Sequence, residues 1–424
     1  MEQLLHYVWQ YRLYGNVTLN TTDGVELEVI DPGIHNNAAG PDFFNAKIKM
    51  QGVVWAGGIE IHDRASDWFV HHHERDKAYD TVILHVTGED DAQVKRTNGE
   101  VIPQLVLTIP ERVRKSIDWL LFRDTPISCL PFLRSNSSAL TLWIDALLTE
   151  RLERKTIDIT ERLKKAGGDW DEAFYVTVSR SFGFGVNSDA FEWLAKSLPL
   201  HYILKHRSSD AQVEALFFGQ AGMLDETIGD DYYRLLQREY RFLSNKYQLK
   251  PLDESLFKAL RMRPRCFPQL RIAQLAALFI THDRLFSEML EEHDLTKMRS
   301  LLQVCPSEYW KSHYRFNQKS PEREKIMGTG ALNILLINAA VPMLFAYGKI
   351  HGCPEYCERA TEMLDKLPPE SNYIIHMFHE CGIRIDSAGC TQALIQLKRC
   401  YCEQRRCLIC RIGHQVLRHS SGQK

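Results

Sequence analysis

Two carboxylates and an imidazole lie at the start of one predicted strand and at the end of the next. Asp42 precedes the first strand pattern, residues 43–50. Glu60 and His62 end the second pattern, residues 53–62, and share one face of it because side chains alternate along a strand. A tight turn between the two strands makes them antiparallel and brings Asp42 beside Glu60. The pattern therefore predicts three chemical groups within reach of a single ion.

A divalent cation would resolve the charge problem that this arrangement creates. Neighbouring carboxylates repel each other unless a cation lies between them, so we expect Asp42 and Glu60 to bind Mg²⁺ or Mn²⁺. Such an ion can activate water and stabilise charge on a phosphate. His62 could orient or deprotonate that water, or ligate the metal itself. The alternative is that Asp42 and Glu60 are solvated charges at strand ends.

Further histidines and polar residues lie near these groups in the sequence. A helix predicted over residues 67–77, with Ser66 as its N-cap, would let either His73 or His72 meet Asp76, because residues three or four apart share a helical face. On that helix His71 and His73 point apart. The alternatives are an exposed, histidine-rich helix end for these residues and a core position for His85. The candidate supporting residues are Glu2, Asn45, His73 and Asp76.

The elements that would position this site are predicted for the N-terminal quarter of the chain. An amphipathic helix covers residues 2–14, and the strand at residues 81–86 is apolar enough to be central. The remaining predicted strands cover residues 25–30, 43–50, 53–62 and 101–109. The order is helix, three strands, helix, strand, with a further strand appended.

Helical patterns dominate after residue 110 and predict an all-α second domain. They cover residues 137–166, 170–181, 188–205, 210–219, 230–245, 271–292, 330–348 and 355–366. The predicted fold class is α+β. The predicted domains are an α/β domain at 1–115, a helical domain at 116–380, and a cysteine-rich basic segment at 381–424.

The site pattern resembles that of the PD-(D/E)xK nuclease superfamily. The resemblance rests on Pro41-Asp42, seventeen intervening residues and Glu60-Ile61-His62, in the element order given above. It implies an αβββαβ restriction-endonuclease-like domain, with Asp42 and Glu60 as metal ligands and position 62 as the site of the catalytic lysine. This chain departs from the pattern, because it has His62 there, and imidazole binds transition metals better than Mg²⁺.

Nearly the whole chain also resembles an uncharacterised bacterial family, domain of unknown function 2851. The resemblance implies no activity. It rests on segments 5–7, 39–46, 60–62, 66–68, 83–86 and 401–413.

Four cysteines near the C-terminus form a second candidate metal site. Cys400, Cys402, Cys407 and Cys410 have the spacing C-x-C-x₄-C-x₂-C, and the last pair is spaced as in tetrahedral zinc sites. Zinc is the preferred metal for this site. The alternatives are a [4Fe-4S] cluster and simple reduced thiols without metal. The fourth ligand stays open among Cys400, Cys390 and His414.

Basic residues suggest where nucleic acid could bind. The net charge of the chain is only −2, so a nucleic acid would have to bind to a local basic patch. Arg263, Arg265 and Arg271 could grip phosphates, although a loop salt-bridged to acidic residues is equally consistent with the pattern. Arg405 and Arg406 lie in the basic stretch 398–424 and could also bind phosphates. The alternative interpretation of this stretch is a flexible, solvated tail. They would also help to keep nearby thiolates deprotonated.

Two features point to a cytoplasmic protein. The start of the chain lacks the pattern of a secretory signal, so the cysteines are expected to be reduced or metal-bound. The apolar run 331–347 is shorter than a membrane span and contains Pro342, so it predicts a buried helix with a kink or boundary there. No membrane partner is expected.

These observations support two functions of different classes. The first is a metal-dependent nuclease or related phosphodiesterase acting on nucleic acid. The second is a non-catalytic module that binds nucleic acid or protein and uses its cysteines as a structural metal site. The sequence does not identify a protein partner.

Overall fold

The computed structural model divides the chain into two compact units. The first comprises Met1–Leu142 and Lys398–Lys424, and the second Trp143–Leu397. The predicted domains divide the chain elsewhere, since residue 115 lies within a helix that spans Glu111–Phe122. The predicted α+β class is confirmed. The structure describes residues 2–14, 18–36, 39–123, 125–136, 138–226, 230–380 and 382–422.

A mixed sheet forms the centre of the first unit. Its strand order is β1-β2-β4-β5-β6-β7, with β3 on β4; pairing is antiparallel as far as β5, and β5, β6 and β7 are parallel. The strands are β1 (Leu19–Asn20), β2 (Glu26–Asp31), β3 (Ile34–His35), β4 (Phe43–Met50), β5 (Val53–Arg64), β6 (Val82–Glu89) and β7 (Gln104–Val106).

Helices accompany this sheet. Segments of 3₁₀-helix cover His73–Arg75, Lys77–Thr81 and Cys407–Ile409, and a π-helix covers Lys398–Cys402. The α-helices are α1 (Glu2–Gln10), α2 (Asp67–Val70), α3 (Glu111–Phe122), α4 (Leu130–Ser135), the start of Ser138–Lys165, and the C-terminal helix Arg411–Gly422.

The predicted hairpin of β4 and β5 is confirmed. Gln51 and Gly52 have φ angles of 51° and 79°, the left-handed values of a tight hairpin turn. In β4 the inward side chains, among them Phe43 and Ile48, are fully buried, whereas their neighbours are exposed. The predicted central strand is also confirmed, because residues 82–87 of β6 are all buried between β5 and β7.

The helix predicted over residues 67–77 is wrong beyond Val70. His72 adopts a left-handed conformation with φ 60°, which an α-helix cannot continue through, and a short 3₁₀-helix follows. Asp76 caps the next 3₁₀-helix by accepting from the Ala78 amide at 2.9 Å, so it does not pair with His73. Ser66 does not cap α2 either, because its hydroxyl donates to Asp91 at 2.7 Å.

The second unit is helical with one small hairpin. The hairpin pairs His313–Arg315 with Gln318–Lys319, so the prediction of an entirely α-helical domain is wrong there. Its turn residue Asn317 has φ 55°, and the Phe316 amide donates to Gln269 at 3.1 Å. This local bonding lets a two-stranded element form without a larger sheet.

Helices make up the rest of the second unit. They are Ser138–Lys165, Trp170–Phe182, Ser188–Ser197, Leu200–Lys205, Asp210–Gln220, Asp231–Tyr247, Pro268–Thr281, Leu285–Glu291, Leu295–Leu302, Thr329–Leu335, Val341–His351, Pro354–Lys366, Tyr373–Glu380 and Ala388–Leu397, with 3₁₀ turns at Glu254–Leu256, Pro264–Cys266 and Glu308–Lys311.

One helical segment among the described residues, Thr329–His351, has the length and apolar composition of a membrane span. Its most apolar window is 72% buried inside the structure, as in the core helix of a folded domain. A π-helical turn, Leu336–Ala340, precedes Pro342, and its wider winding accommodates a residue that lacks an N–H. The predicted boundary near Pro342 is therefore confirmed, while the cytoplasmic location stays a prediction.

Candidate metal centre

Asp42 and Glu60 are linked by two crossed hydrogen bonds between strands β4 and β5. The Asp42 amide donates to Glu60 Oε2 at 3.0 Å, and the Ile61 amide donates to Asp42 Oδ2 at 2.9 Å. Gly58 allows this approach, because a Cβ there would lie 3.0 Å from the ring of Pro41. Each carboxylate therefore has one oxygen fixed by the backbone and a second oxygen that can serve a ligand.

The second oxygen of Glu60 faces two imidazoles. Oε1 lies 3.2 Å from His73 Nε2 and 3.6 Å from His62 Nε2. The Glu60 side chain is only 6% exposed. Burial, and secondarily the negative charge of Asp42, raises the pKa of Glu60 above its usual value. A cation at this point would favour the ionised carboxylate and offset its desolvation.

His62 is enclosed between two other histidines. Its Nδ1 lies 2.9 Å from His85 Nε2, and its Nε2 lies 3.1 Å from His71 Nδ1. Burial and the neighbouring imidazoles lower the pKa of His62 to about 2, and burial lowers that of His85 to about 4. Both rings are therefore neutral at pH 7, and neutral imidazole is the form that binds metals.

Three imidazole nitrogens converge beside Glu60. The ligand atoms of His62, His71 and His73 all lie within 4.8 Å of one another. His62 Nε2 lies 3.1 Å from His71 Nδ1, and Glu60 Oε1 lies 3.2 Å from His73 and 3.6 Å from His62. Ligand atoms of a tetrahedral site with bonds of 2.0–2.1 Å stand about 3.3 Å apart. The three imidazole nitrogens can therefore share a single transition-metal ion, and Glu60 Oε1 lies beside two of them.

A continuous helix would put His71 and His73 on opposite sides, whereas the structure brings the two side chains together. The break after Val70 and the left-handed His72 turn the two flanking rings toward the same point. The run of three histidines beside the Glu60 strand was the available signal. The helical pattern of residues 67–77 hides this signal, because it predicts no break after Val70.

His6 is a further member of the site that the sequence analysis missed. Its Nε2 lies 3.2 Å from Asp42 Oδ2. Burial lowers the pKa of His6, but the bond to Asp42 and its charge outweigh burial, and the net shift is upward. Glu2, one turn earlier in α1, adds to this upward shift, which is consistent with its predicted supporting position.

The other predicted supporting residues have different positions. Asn45 has φ 56° at an irregularity in the β4–β5 register, so its role is in the backbone of the strand. His73 stacks on Tyr79 with ring centroids 3.7 Å apart. Burial, with the charges of Glu60 and Asp42, raises the pKa of Tyr79 to about 12.

Three of the C-terminal cysteines lie near Cys129, which was not among the candidate metal ligands predicted from the sequence. Cys129, Cys402, Cys407 and Cys410 line one small cavity in the first unit. None of the three candidates for the fourth ligand lines it: the cavity does not include Cys400, Cys390 belongs to the second unit, and His414 Nδ1 is bonded to the Tyr7 hydroxyl at 2.9 Å.

A family profile described as a protein of unknown function (DUF2851) matches residues 2–373. The chain belongs to this family. The predicted membership of DUF2851 is thus confirmed, although the cysteine-rich end lies beyond the matched residues. Comparison with curated proteins and with solved structures gave no match. The resemblance to PD-(D/E)xK nucleases stays a prediction.

The basic residues predicted to bind nucleic acid in this DUF2851 member differ in accessibility. Arg263, Arg265 and Arg406 are exposed. Arg271 is buried; its guanidinium lies 4.2 Å from the Phe184 ring centroid and donates to Gln274 at 2.9 Å, so a phosphate has no access to it.

The predicted basic tail is in part a structural element. Arg405 donates to the Arg123 carbonyl at 2.9 Å and to the Ser128 hydroxyl at 3.0 Å. Lys398 is buried and pairs with Glu403 at 3.0 Å. Lys424 lies outside the described residues.

Proposed function

We propose that this protein is a metal-dependent nuclease or related phosphodiesterase that acts on nucleic acid. The observation that carries the proposal is the crossed pair of hydrogen bonds that fixes Asp42 and Glu60 side by side. Five strands lie between α1 and α2; the three longest, β2, β4 and β5, with the parallel strand β6 after α2, are compatible with the αβββαβ order that the sequence resemblance implies.

The imidazoles define the class of metal that this centre would hold. His62, His71 and His73, with Glu60 Oε1, form a nitrogen-rich set that suits Mn²⁺, Zn²⁺ or another transition metal better than Mg²⁺. Of the two ions expected at the carboxylates, Mn²⁺ is therefore favoured. When bound, a divalent ion supplies Lewis acidity, lowers the pKa of water and stabilises charge on a phosphate.

The chain's own residues divide the remaining tasks. The side chain of His62 is 1% exposed and both its nitrogens have partners, so it holds metal and does not contact substrate. Asp42 is 24% exposed, and its Oδ1 has no hydrogen-bond partner among the residues that the structure describes, so it can orient a water or accept its proton. The resemblance places the catalytic lysine at position 62. Because that position is a buried histidine in this chain, Asp42 would take the role of the lysine.

The exposed arginines are the candidates for phosphate contacts. Arg263 and Arg265 of the second unit and Arg406 of the first are accessible and can bind phosphate oxygens bidentately. Contacts of this kind position a nucleic acid without reading its sequence, and they weaken as salt concentration rises.

Cleavage of single- and double-stranded DNA and RNA tests the proposal. Each substrate is incubated with wild type, Glu60→Gln or Glu28→Gln, and with Mg²⁺, Mn²⁺, Zn²⁺ or a chelator. Glu28 is an exposed carboxylate on β2, which β4 separates from β5 in the sheet, and it serves as the control. We expect cleavage with a transition metal, at least a hundredfold loss in Glu60→Gln and none in Glu28→Gln.

The absence of cleavage with every ion by a folded wild-type protein would contradict the proposal. Binding of the same nucleic acids without turnover would then favour the alternative, a non-catalytic binding module.

A further inference from the structure

Cationic side chains surround Tyr314 in the second unit. Tyr314 lies on the first strand of the small hairpin, His313–Arg315, and is 9% exposed. Its hydroxyl accepts from Arg323 Nε at 2.9 Å and also from Arg323 Nη2. The ammonium of Lys325, a buried residue, lies 4.5 Å from the centroid of the Tyr314 ring. Two cationic groups therefore contact a single tyrosine.

Arg265 adds a third cation from the 3₁₀ turn Pro264–Cys266. Burial raises the pKa of Tyr314, but hydrogen bonds from Arg323 and Arg265 outweigh burial, and the net shift is downward. The charge of Lys325 contributes to the same downward shift of the Tyr314 pKa. A phenol responds in this way when positive charge surrounds it. The hydroxyl of Tyr314 is therefore the point on which these cations converge.

The cations of this cluster lack a carboxylate partner. Among the residues that the structure describes, no carboxylate oxygen lies within 4.0 Å of the charged groups of Arg265, Arg323 or Lys325. By contrast, Arg238, an exposed arginine of the same unit, pairs with Glu239 at 3.4 Å. Like charges that are held together repel each other, so an anion that binds between them is favoured.

The accessible groups of the cluster define the class of anion. Arg265 and Arg323 are exposed, and guanidinium groups donate readily to phosphate oxygens. A phosphate within a nucleic-acid backbone carries one negative charge. A terminal phosphate, which is a monoester, carries about 1.5 to 2 negative charges at pH 7. Two guanidiniums at one point therefore match a terminal phosphate better than a phosphodiester.

We propose that Arg265 and Arg323, held together by Tyr314, bind the terminal phosphate of a nucleic-acid strand. The two guanidiniums donate to the phosphate oxygens, and the Tyr314 hydroxyl keeps them close to each other by accepting from both. Lys325 adds positive charge from below the surface. The choice of nucleic acid as the carrier of the phosphate rests on the proposed function. The site itself lies within the second unit and binds without any cleavage step.

Fluorescence anisotropy with single strands of one sequence tests this site. The strands carry a 5′-phosphate, a 3′-phosphate or hydroxyls at both ends. The full-length protein is assayed with a chelator, which prevents metal-dependent cleavage, and at about 150 mM salt, which screens long-range attraction. We expect at least one phosphorylated strand to bind about tenfold more tightly than the unphosphorylated strand. Equal affinities would overturn the terminal-phosphate site and leave the proposed function standing.

Arginine variants test the assignment of residues. Arg265→Gln and Arg323→Gln replace exposed side chains and should abolish the preference for the phosphorylated strand. Arg238→Gln removes an exposed positive charge elsewhere in the same unit and should retain the preference. A preference retained in either of the first two variants, or lost in Arg238→Gln, would overturn the assignment. Tighter binding of a phosphoserine peptide than of the phosphorylated strand would overturn nucleic acid as the ligand.

Discussion

His85 is the residue that orients the metal-binding nitrogen of His62. For His62 Nε2 to bind metal, its Nδ1 must carry the proton and donate it to His85 Nε2, which lies 2.9 Å away. Replacing His85 with Phe keeps the ring volume in this fully buried position and removes the acceptor. We expect His85→Phe to bind Mn²⁺ or Zn²⁺ about 10- to 100-fold more weakly, as measured by isothermal titration calorimetry.

His72→Asn is the matched control for this experiment. His72 is an exposed neighbour of two proposed ligands, and Asn tolerates its left-handed backbone. Its affinity should equal that of wild type. Equal affinity in His85→Phe would show that His62 needs no such partner.

Glu192 gives a prediction about acid stability in the second unit. Burial raises its pKa, but Lys196, Arg162 and Arg180 outweigh burial and lower the pKa to about 2. A carboxyl whose folded pKa is lowered contributes stability above its unfolded pKa, and loses it as pH falls toward the folded value.

The Glu192→Gln variant should therefore be less stable than wild type by roughly 2 kcal/mol at pH 7. The difference in the free energy of unfolding should shrink between about pH 4.5 and pH 2. Urea denaturation at a series of pH values measures it. A difference that does not change with pH would argue against these ion pairs as its origin.

At the scale of elements, β5 positions the centre. It pairs antiparallel with β4 and parallel with β6, and its register with β6 shifts between Gly58 and Ile59. Next to that shift, a Cβ on Gly57 would lie 2.5 Å from Ile83 Cγ2 and 2.6 Å from the Thr81 carbonyl oxygen. β5 and β6 can therefore approach each other only if residue 57 has no side chain.

Gly57→Ala should displace β6 from β5 and destabilise the protein by about 1–3 kcal/mol. Val54→Ala on the same strand, where the side chain is 55% exposed, should change stability by about 0.5 kcal/mol or less. Chemical denaturation of both variants provides the comparison. Equal stabilities would mean that the sheet has room for the added methyl group.

Sequence patterns predicted the strands of the site better than the connections between them. The period-two alternation of residues 43–50 was sufficient, because local burial determines it. The helix after β5 was overextended, because the reversal at His72 depends on contacts that the imidazoles make within the folded site. Asp42, Glu60 and His62 follow from strand pairing, whereas His6 and His71 come from tertiary packing.

At the scale of the whole chain, the C-terminus returns to the first unit. The helix Arg411–Gly422 packs against α3, with Ile412 and Leu417 fully buried. The predicted boundaries treated residues 381–424 as a separate segment. A sequence pattern identifies the apolar face of such a helix and does not specify the surface it packs against, and the same limit concealed Cys129.

Leu417→Ala in the full-length protein should cost about 2–5 kcal/mol, because the cavity it leaves is closed on all sides. Ile409→Ala nearby, where the side chain is 66% exposed, should cost about 0.5 kcal/mol or less. Thermal denaturation distinguishes the two variants. Equal melting temperatures would contradict the docking of this helix.

Anomalous diffraction from crystals grown with Mn²⁺ tests the central claim most directly. We predict one strong peak about 2.0–2.2 Å from nitrogens of His62, His71 and His73, with Glu60 Oε1 as the neighbouring carboxylate. The peak should be absent in Glu60→Gln and present in Glu28→Gln. A fully occupied ion elsewhere in the first unit, or no ion at these side chains at millimolar Mn²⁺, would contradict the proposed metal centre.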